Sequence, residues 1–436
     1  MRMDEVVEKL YGKKAGNIKI KLGLKRIETL CEYLGNPQNN FKTIHVAGTN
    51  GKGSVTKALS DIFIKEGYKV GTFISPHLVH INERIRINGI NIPDEDFVRV
   101  YSEVLPYIER MESLGEDMSP SFFEIITAMA FKYFSDENVS IGVIEVGLGG
   151  RLDSTNVIQS DVDVISTIQY DHMKILGDTL EDIAFEKAGI IKEGASVILG
   201  DIPESPKDII IRKAHTARAK EIFEFGKEFE FENPRFSINW NMIDYKGIFG
   251  DYKDLIFKSN GAYQPHNISL AVAAAEIFLK RYNKSLDENK LRETLKKFRW
   301  EGRFEITEQS GKKLILEGAH NPDGVKMLRK TLDLYMPTAK KAALIGILDD
   351  KDFTDMVKDL SLMFDDIIIT SIPNNRSVNP EKVFEELLKV KPTNVTFIKD
   401  PKEAYKKLLT KNADYYFVTG SLYLVGEIRS YFGDNR

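Results

Sequence analysis

Residues 42–67, KTIHVAGTNGKGSVTKALSDIFIKEG, read as a strand, a glycine-rich loop and a helix in direct succession. The β-branched run 42–46 gives way to AGTNGKGS at 47–54, and 55–67 repeats apolar residues at helical spacing. Gly48, Gly51 and Gly53 let backbone N–H groups approach a phosphate without a Cβ in the way. The helix start adds positive potential, Lys52 neutralises phosphate charge, and Ser54 offers a hydroxyl to Mg²⁺. Together with Thr49, Asn50, Gly51 and Gly53 these residues form a candidate nucleotide-phosphate loop. The match to G-x-x-x-x-G-K-[ST] is imperfect: the first glycine sits closer to the lysine, and Gly53 intervenes before the serine. The plain alternative is an ordinary βα turn.

Outward from this stretch, short β-branched runs alternate with amphipathic segments, predicting βα units on a mostly parallel sheet. Strands are expected at 69–74, 139–147 and 162–167, and helices at 122–134 and from 180 to about Gly189. Residues 226–258 differ. Phe229, Phe231, Phe236, Ile238, Trp240 and Met242 fall on alternate positions, with a phase shift across Asn233-Pro234. A small antiparallel meander inserted before a helix at 266–281 is expected. The alternation restarts after about residue 298, with strands expected at 314–318, 342–348, 366–371, 394–399 and 415–420. The expected division is 1–297, a phosphate-loop α/β domain with a β insertion, and 298–436, a smaller Rossmann-like α/β domain.

Length and composition agree. The chain has 436 residues, 42% of them hydrophobic and 29% charged, and a formal net charge of −4. Near-neutral balance argues against a protein built to coat nucleic acid or an anionic membrane. With one cysteine, Cys31, neither a disulfide framework nor a cysteine-based metal site is possible within the chain, and a reducing compartment is the easy reading. The N-terminal MRMDEVVEKL lacks the apolar core of a signal peptide, and no run reaches the ~18 apolar residues of a membrane span. A cytoplasmic monomer is expected.

Further candidates lie at strand ends. A phosphate-bound Mg²⁺ needs more ligands. Glu145 stands inside the apolar run VIEVG, where an unpaired carboxylate is costly, and His172 follows the strand at 162–167. A structural ion pair and a loop histidine are the bland alternatives. In EVGLGGRLDSTN, 145–156, Arg151 and Asp153 either contact a substrate or staple the loop; the glycine spacing is not that of a dinucleotide fingerprint. SPHLVHINERIRING, 75–89, is a binding loop or a β-hairpin, with Ser75-Pro76 able to hold a cis bond. In EGAHNPDG, 317–324, His320 and Asn321 belong at the carboxyl end of a strand. Arg303 in GRFE, 302–305, stands where a domain interface could clamp phosphate.

These motifs, in this order, resemble the folylpolyglutamate synthase/dihydrofolate synthase family of the Mur-ligase superfamily. The stretches 21–38, 45–54, 75–89, 122–131, 145–156, 171–192, 302–305, 317–324 and 419–429 carry the resemblance over nearly the whole chain. It implies an ATP-dependent, ADP-forming amide ligase that adds L-glutamate to a reduced folate or folylpolyglutamate, or to dihydropteroate, through an acyl phosphate. By resemblance, Lys52 and the backbone of 48–54 hold the β- and γ-phosphates, and Ser54 and Glu145 bind a first Mg²⁺. His172 binds a second metal, and Lys187 matches a lysine carried as a carbamate. Assistance by K⁺ is left open. Asn267 and Arg303 contact the nucleotide, and His320 lies near the nucleotide or acyl phosphate. Ser421 belongs to the glutamate site. Ser75, Pro76, Arg84, Phe123, Arg151 and Asp153 belong to the substrate side. Two departures stand out: Glu317 replaces the aspartate usual before GAHN, and Tyr263 stands where a histidine is common. The rivals are a cell-wall ligase, disfavoured because too little chain precedes the loop for a uridine-nucleotide domain, and a nucleotide-hydrolysing switch protein.

Overall fold

The computed structural model describes residues 1–15, 22–348, 353–372 and 379–432. Its largest sheet contains β1 (Lys42–Ala47), β2 (Val70–Phe73), β3 (Ile85–Ile87), β4 (Ile90–Asn91), β5 (Ile141–Glu145), β6 (Val162–Ile165), β7 (Ser196–Leu199) and β8 (Glu221–Glu224). They run in the order β4-β3-β2-β5-β1-β6-β7-β8. From β2 to β8 the neighbours pair parallel, while β3 and β4 are antiparallel. Parallel sheets need cover on both faces, and the strands comply: β2, β5, β6 and β7 are buried throughout, and β1 everywhere except Lys42. The stretch 75–89 divides accordingly: residues before Ile85 form a loop with a cis Ser75–Pro76 bond, and those after it enter the β3–β4 hairpin.

The meander is present as β9 (Glu230–Ser237), β10 (Trp240–Lys246) and β11 (Asp251–Phe257), all antiparallel. The phase shift at Asn233-Pro234 is a β-bulge: pairing passes from Asp244–Glu232 to Met242–Arg235, so Asn233 and Pro234 oppose Ile243 alone. Asn233 takes a left-handed conformation there, at φ 50°. Phe229, Ile243, Tyr245, Leu255 and Phe257 pack on the helix Gln264–Arg281 and, beneath it, on the helix Lys52–Lys65. The helix Gln264–Arg281 is buried from Asn267 to Leu279, as an element covered by structure on all sides must be.

The third sheet contains β12 (Glu305–Gln309), β13 (Lys312–Leu316), β14 (Lys341–Ile345), β15 (Asp366–Ile369), β16 (Val395–Phe397) and β17 (Tyr415–Thr419), in the order β12-β13-β17-β14-β15-β16. All pairs are parallel except β12 with β13. The expected strands at 314–318, 342–348, 366–371, 394–399 and 415–420 correspond to β13 through β17. The sequence reading omitted β12, a half-exposed edge strand of sequence EITEQ that lacks an apolar run.

In the first sheet the register sets Val46 beside Glu145 and Ala47 beside Ile165, so the carboxyl ends of β5, β1 and β6 are level. The loops leaving these strands carry Glu145, the glycine-rich turn and His172. Such a crevice is where open α/β sheets place ligands.

Candidate active site

Gly51 caps the helix Lys52–Lys65 with φ 89°, a conformation that a side chain makes costly. A Cβ there would also collide with the Asn267 side chain. The loop is pinned from below: Thr49 N–H donates to Thr167 O at 2.8 Å, and Asn50 N–H donates to Thr167 Oγ1 at 3.0 Å. Two lysines converge on its first turn. Lys52 Nζ donates to Gly48 O at 2.9 Å and Thr49 O at 3.1 Å, and the buried Lys187 Nζ donates to Gly48 O at 2.9 Å. Lys187 reaches the loop because Thr179 caps its helix, Leu180–Ala188, by accepting from Asp182 N–H at 3.1 Å.

Glu145 is 5% exposed and accepts from Ser75 N–H at 3.1 Å. Burial pushes its carboxyl above the ordinary carboxylate value, opposed by Lys52, the Ser75 N–H, Arg303 and Arg84. Across the cleft, Glu317 is also buried and raised by desolvation, opposed first by Arg303. The longer acid at 317 accepts from the phenol of Tyr263 at 2.8 Å and from Phe304 N–H at 2.7 Å. Thus the two departures from the family pattern are bonded to each other, and Arg303 stands electrostatically between acids from both sheets.

A second bridge joins the phosphate loop to the third sheet. Asn50 Nδ2 donates to Asp323 Oδ2 at 2.9 Å, and Asn321 Nδ2 donates to Asn50 Oδ1 at 3.1 Å and Asp171 Oδ2 at 3.1 Å. Asp171 also faces two histidines, His172 Nε2 at 3.7 Å and His320 Nε2 at 3.9 Å. Sequence reasoning omitted Asp171 and Asp323 as site residues; their one signal was adjacency to His172 and to Asn321. Among the described residues no three His, Cys, Asp or Glu side chains converge on one metal point. A hard cation here would need hydroxyl and phosphate oxygens as well. Ser54, buried beside Lys52, and Glu145 offer such oxygen donors.

On the substrate side, Ser75, Pro76, Glu145 and Arg303 line a cleft of about 290 Å³. Arg84 is buried, 5.4 Å over the Phe122 ring, and its Nε donates to His77 Nδ1 at 2.8 Å. The Phe123 ring lies 5.8 Å from that of Phe73, against Gly147. Arg151 pairs with Glu186 at 2.8 Å and lies over Phe185. Asp153 is occupied by its own loop, accepting from Leu148 N–H at 2.7 Å and from the Thr155 N–H and hydroxyl at 3.0 and 2.6 Å. Of the two alternatives for Asp153, this geometry is that of a loop staple. Ser421 is buried and caps the helix Leu422–Ser430, accepting from Tyr423 N–H at 3.1 Å.

Residues 302–422 match the Mur ligase, glutamate ligase domain family. Over 419 residues the chain is 34% identical to the dihydrofolate synthase/folylpolyglutamate synthase of Bacillus subtilis, covering 94% of this chain and 95% of that one. The chain belongs to the folylpolyglutamate synthase/dihydrofolate synthase family. Solved members of the family share the whole architecture. Folylpolyglutamate synthase from Thermotoga maritima superposes with a TM-score of 0.86 at 37% identity, covering 100% of this chain and 97% of that one. The Mycobacterium tuberculosis folylpolyglutamate synthase complexed with ADP gives 0.91 at 29% identity, covering 99% and 98%. No helix among the described residues is long and apolar enough to cross a membrane.

Proposed function

We propose that this chain is a folylpolyglutamate synthase: an ATP-dependent, ADP-forming ligase joining L-glutamate to a reduced folate or folylpolyglutamate. A second reading, with dihydropteroate as acceptor, is favoured by the double name of the B. subtilis relative. The carrying observation is the convergence of Glu145, Arg303 and the Gly48–Ser54 loop on one cleft. Family membership and the ADP-bound relative support the same reading.

A carboxylate is a poor acylating agent. An acceptor carboxylate oxygen attacks the γ-phosphorus, ADP leaves, and an acyl phosphate results. The glutamate amine then attacks the acyl carbon, and the tetrahedral intermediate expels inorganic phosphate and loses a proton. Lys52, Arg303 and the loop N–H groups neutralise and align the phosphoryl oxygens, which is most of what such a transfer requires. Asn267 braces Gly51, and His320 faces the transferring group from the other side of the cleft. Ser54 and Glu145 would hold Mg²⁺, which supplies charge neutralisation at the phosphates; His172 and a carbamylated Lys187 would hold a second ion, and K⁺ binding remains part of the proposal. A carbamate on Lys187 Nζ keeps one N–H for Gly48 O while adding anionic oxygens. Arg84, Phe123 and Arg151 form the pterin side, Ser421 the glutamate side, in a monomer working in the cytoplasm without nucleic-acid or membrane partners.

The test is a product assay with tetrahydrofolate and dihydropteroate side by side, each with ATP, Mg²⁺ and L-glutamate. ADP release in step with a glutamylated product is expected. ADP release that ignores both glutamate and pteridine would leave the switch-protein reading standing instead.

A further inference from the structure

The cleft between the first and third sheets holds more charge than phosphoryl transfer uses. Arg86, Trp300, Glu301, Arg303, Arg429 and Glu83 line it beside Glu145. Most of these groups are occupied. The carboxylate of Glu83 accepts from the N–H groups of Leu78, Val79 and His80 at 2.8 to 3.0 Å. Arg429 binds both carboxylate oxygens of Glu305. Arg303 faces Glu145 and Glu317.

Two groups are different. The Arg86 Nε donates to the backbone oxygen of Glu83 at 3.0 Å, and its guanidinium lies 5.4 Å from the Trp300 ring centroid. Among the described residues no carboxylate reaches ion-pair distance of Arg86, and no cation reaches ion-pair distance of Glu301. Asp61, whose carboxyl feels the charge of Arg86, is bonded to Lys57. A half-buried guanidinium held by one backbone contact and an aromatic face keeps its Nη donors for a planar anion. Glu301, next in sequence to the stacking Trp300, adds a negative charge to the same cleft; Arg429 feels that charge, but its guanidinium is bound to Glu305.

We infer that Arg86, Trp300 and Glu301 form the reception subsite for the incoming amino acid, holding L-glutamate as a zwitterion. Arg86 takes a carboxylate, the Trp300 ring keeps the guanidinium fixed, and Glu301 takes the ammonium before the amine reacts. The inference rests on the ligase reading and names the place of its second substrate. The opposite charges decide the ligand class. A γ-glutamyl tail is anionic along its length and would be repelled by Glu301, as would a nucleotide phosphate; a free amino acid matches both charges. The cleft volume of about 290 Å³ suits a small molecule beside an activated carboxyl group.

The experiment measures KM for L-glutamate, for ATP and for acceptors carrying one or three glutamyl residues, in the wild type and in Arg86→Met, Arg86→Lys and Glu301→Gln. Expected are a rise of at least about tenfold in KM for L-glutamate in Arg86→Met, a smaller rise in Arg86→Lys, and a severalfold rise in Glu301→Gln. KM for ATP and for both acceptors should stay within about twofold. Thermal unfolding of each variant checks that the fold is intact; should Arg86→Met not fold, Glu301→Gln carries the decision. An unchanged KM for L-glutamate overturns the inference. So does an acceptor KM in Arg86→Met that climbs with glutamyl number, which makes the cleft a tail groove. A wild type that releases no ADP in response to glutamate refutes the ligase reading itself, a result separate from either of these.

Discussion

Glu145 closes a strand of five buried residues, and its ionised form is stabilised by Lys52, Arg303 and one backbone N–H against the desolvation of full burial. Glu145→Gln should therefore lower turnover by about a hundredfold or more while leaving the melting temperature equal or higher, because an uncharged amide is easier to bury. Steady-state kinetics beside calorimetry check both halves. Asp163 gives a pH signature away from the site. Burial raises its carboxyl from 3.8 to about 7, despite bonds from Ser160 and the Lys192 N–H. The folded state then binds more protons than the unfolded chain between those values, so stability falls as pH rises through the window and levels off above it. Relative to Asp163→Asn, the wild type should lose stability from about pH 4 to about pH 7, by an amount on the order of 4 kcal/mol at most. Denaturant titrations at several pH values measure the difference; a gap that widens toward acid instead would refute the assignment. At this scale the sequence was readable where a residue broke a pattern, as Glu145 does inside VIEVG. Asp171 broke none, since an acid in a polar loop has no period to violate, and only folding brings it to Asn321 and His320.

Among elements, the helix Leu180–Ala188 works as an arm that carries Lys187 to the loop at Gly48. Its nine residues are too few to be stable alone, so the cap at Thr179 matters. Thr179→Ala should cost about 1 kcal/mol and depress turnover more than this loss explains, as Lys187 is displaced. Valine at the same position, equal in shape but without the acceptor, should behave like alanine in both urea unfolding and assay. Among the parallel strands, β1, β2, β5, β6 and β13 to β17 were legible as apolar runs, and the bulge at Asn233-Pro234 was visible as a slip in alternation; β7 was not among the expected strands, nor was β8, whose sequence EIFE is no continuous apolar run. β12 escaped because an edge strand with one face wet carries a polar sequence, and its pairing is fixed by β13 rather than by its own pattern.

For the molecule as a whole, the contact between the two α/β sheets is local and specific. Leu78, from the loop after the cis Ser75–Pro76 bond, packs with the core between the third sheet and the helix Leu422–Ser430. Its carbonyl lies against Gly426, where a methyl group would collide with it. Gly426→Ala favours the helix by about 1 kcal/mol yet opposes this contact. The expected outcome is a larger radius of gyration by X-ray scattering and a raised KM for ATP, with the third sheet no less stable. An unchanged scattering profile and an unchanged KM together would show that the contact does not govern closure. Both α/β architectures could be read from alternation alone. The way they meet could not, because Leu78 and Gly426 are unremarkable in their own neighbourhoods and acquire a role only from each other's position, and the loop motif that singles out Asn50 does not reveal its bond to Asp323.

The bond from Asn50 to Asp323, and its partner bond from Asn321, bear on how a turnover ends. Asn50 belongs to the Gly48–Ser54 loop itself, so separating the halves pulls directly on the turn proposed to hold the phosphates. On the ligase reading, unclasping and letting go of spent nucleotide would be a single mechanical event.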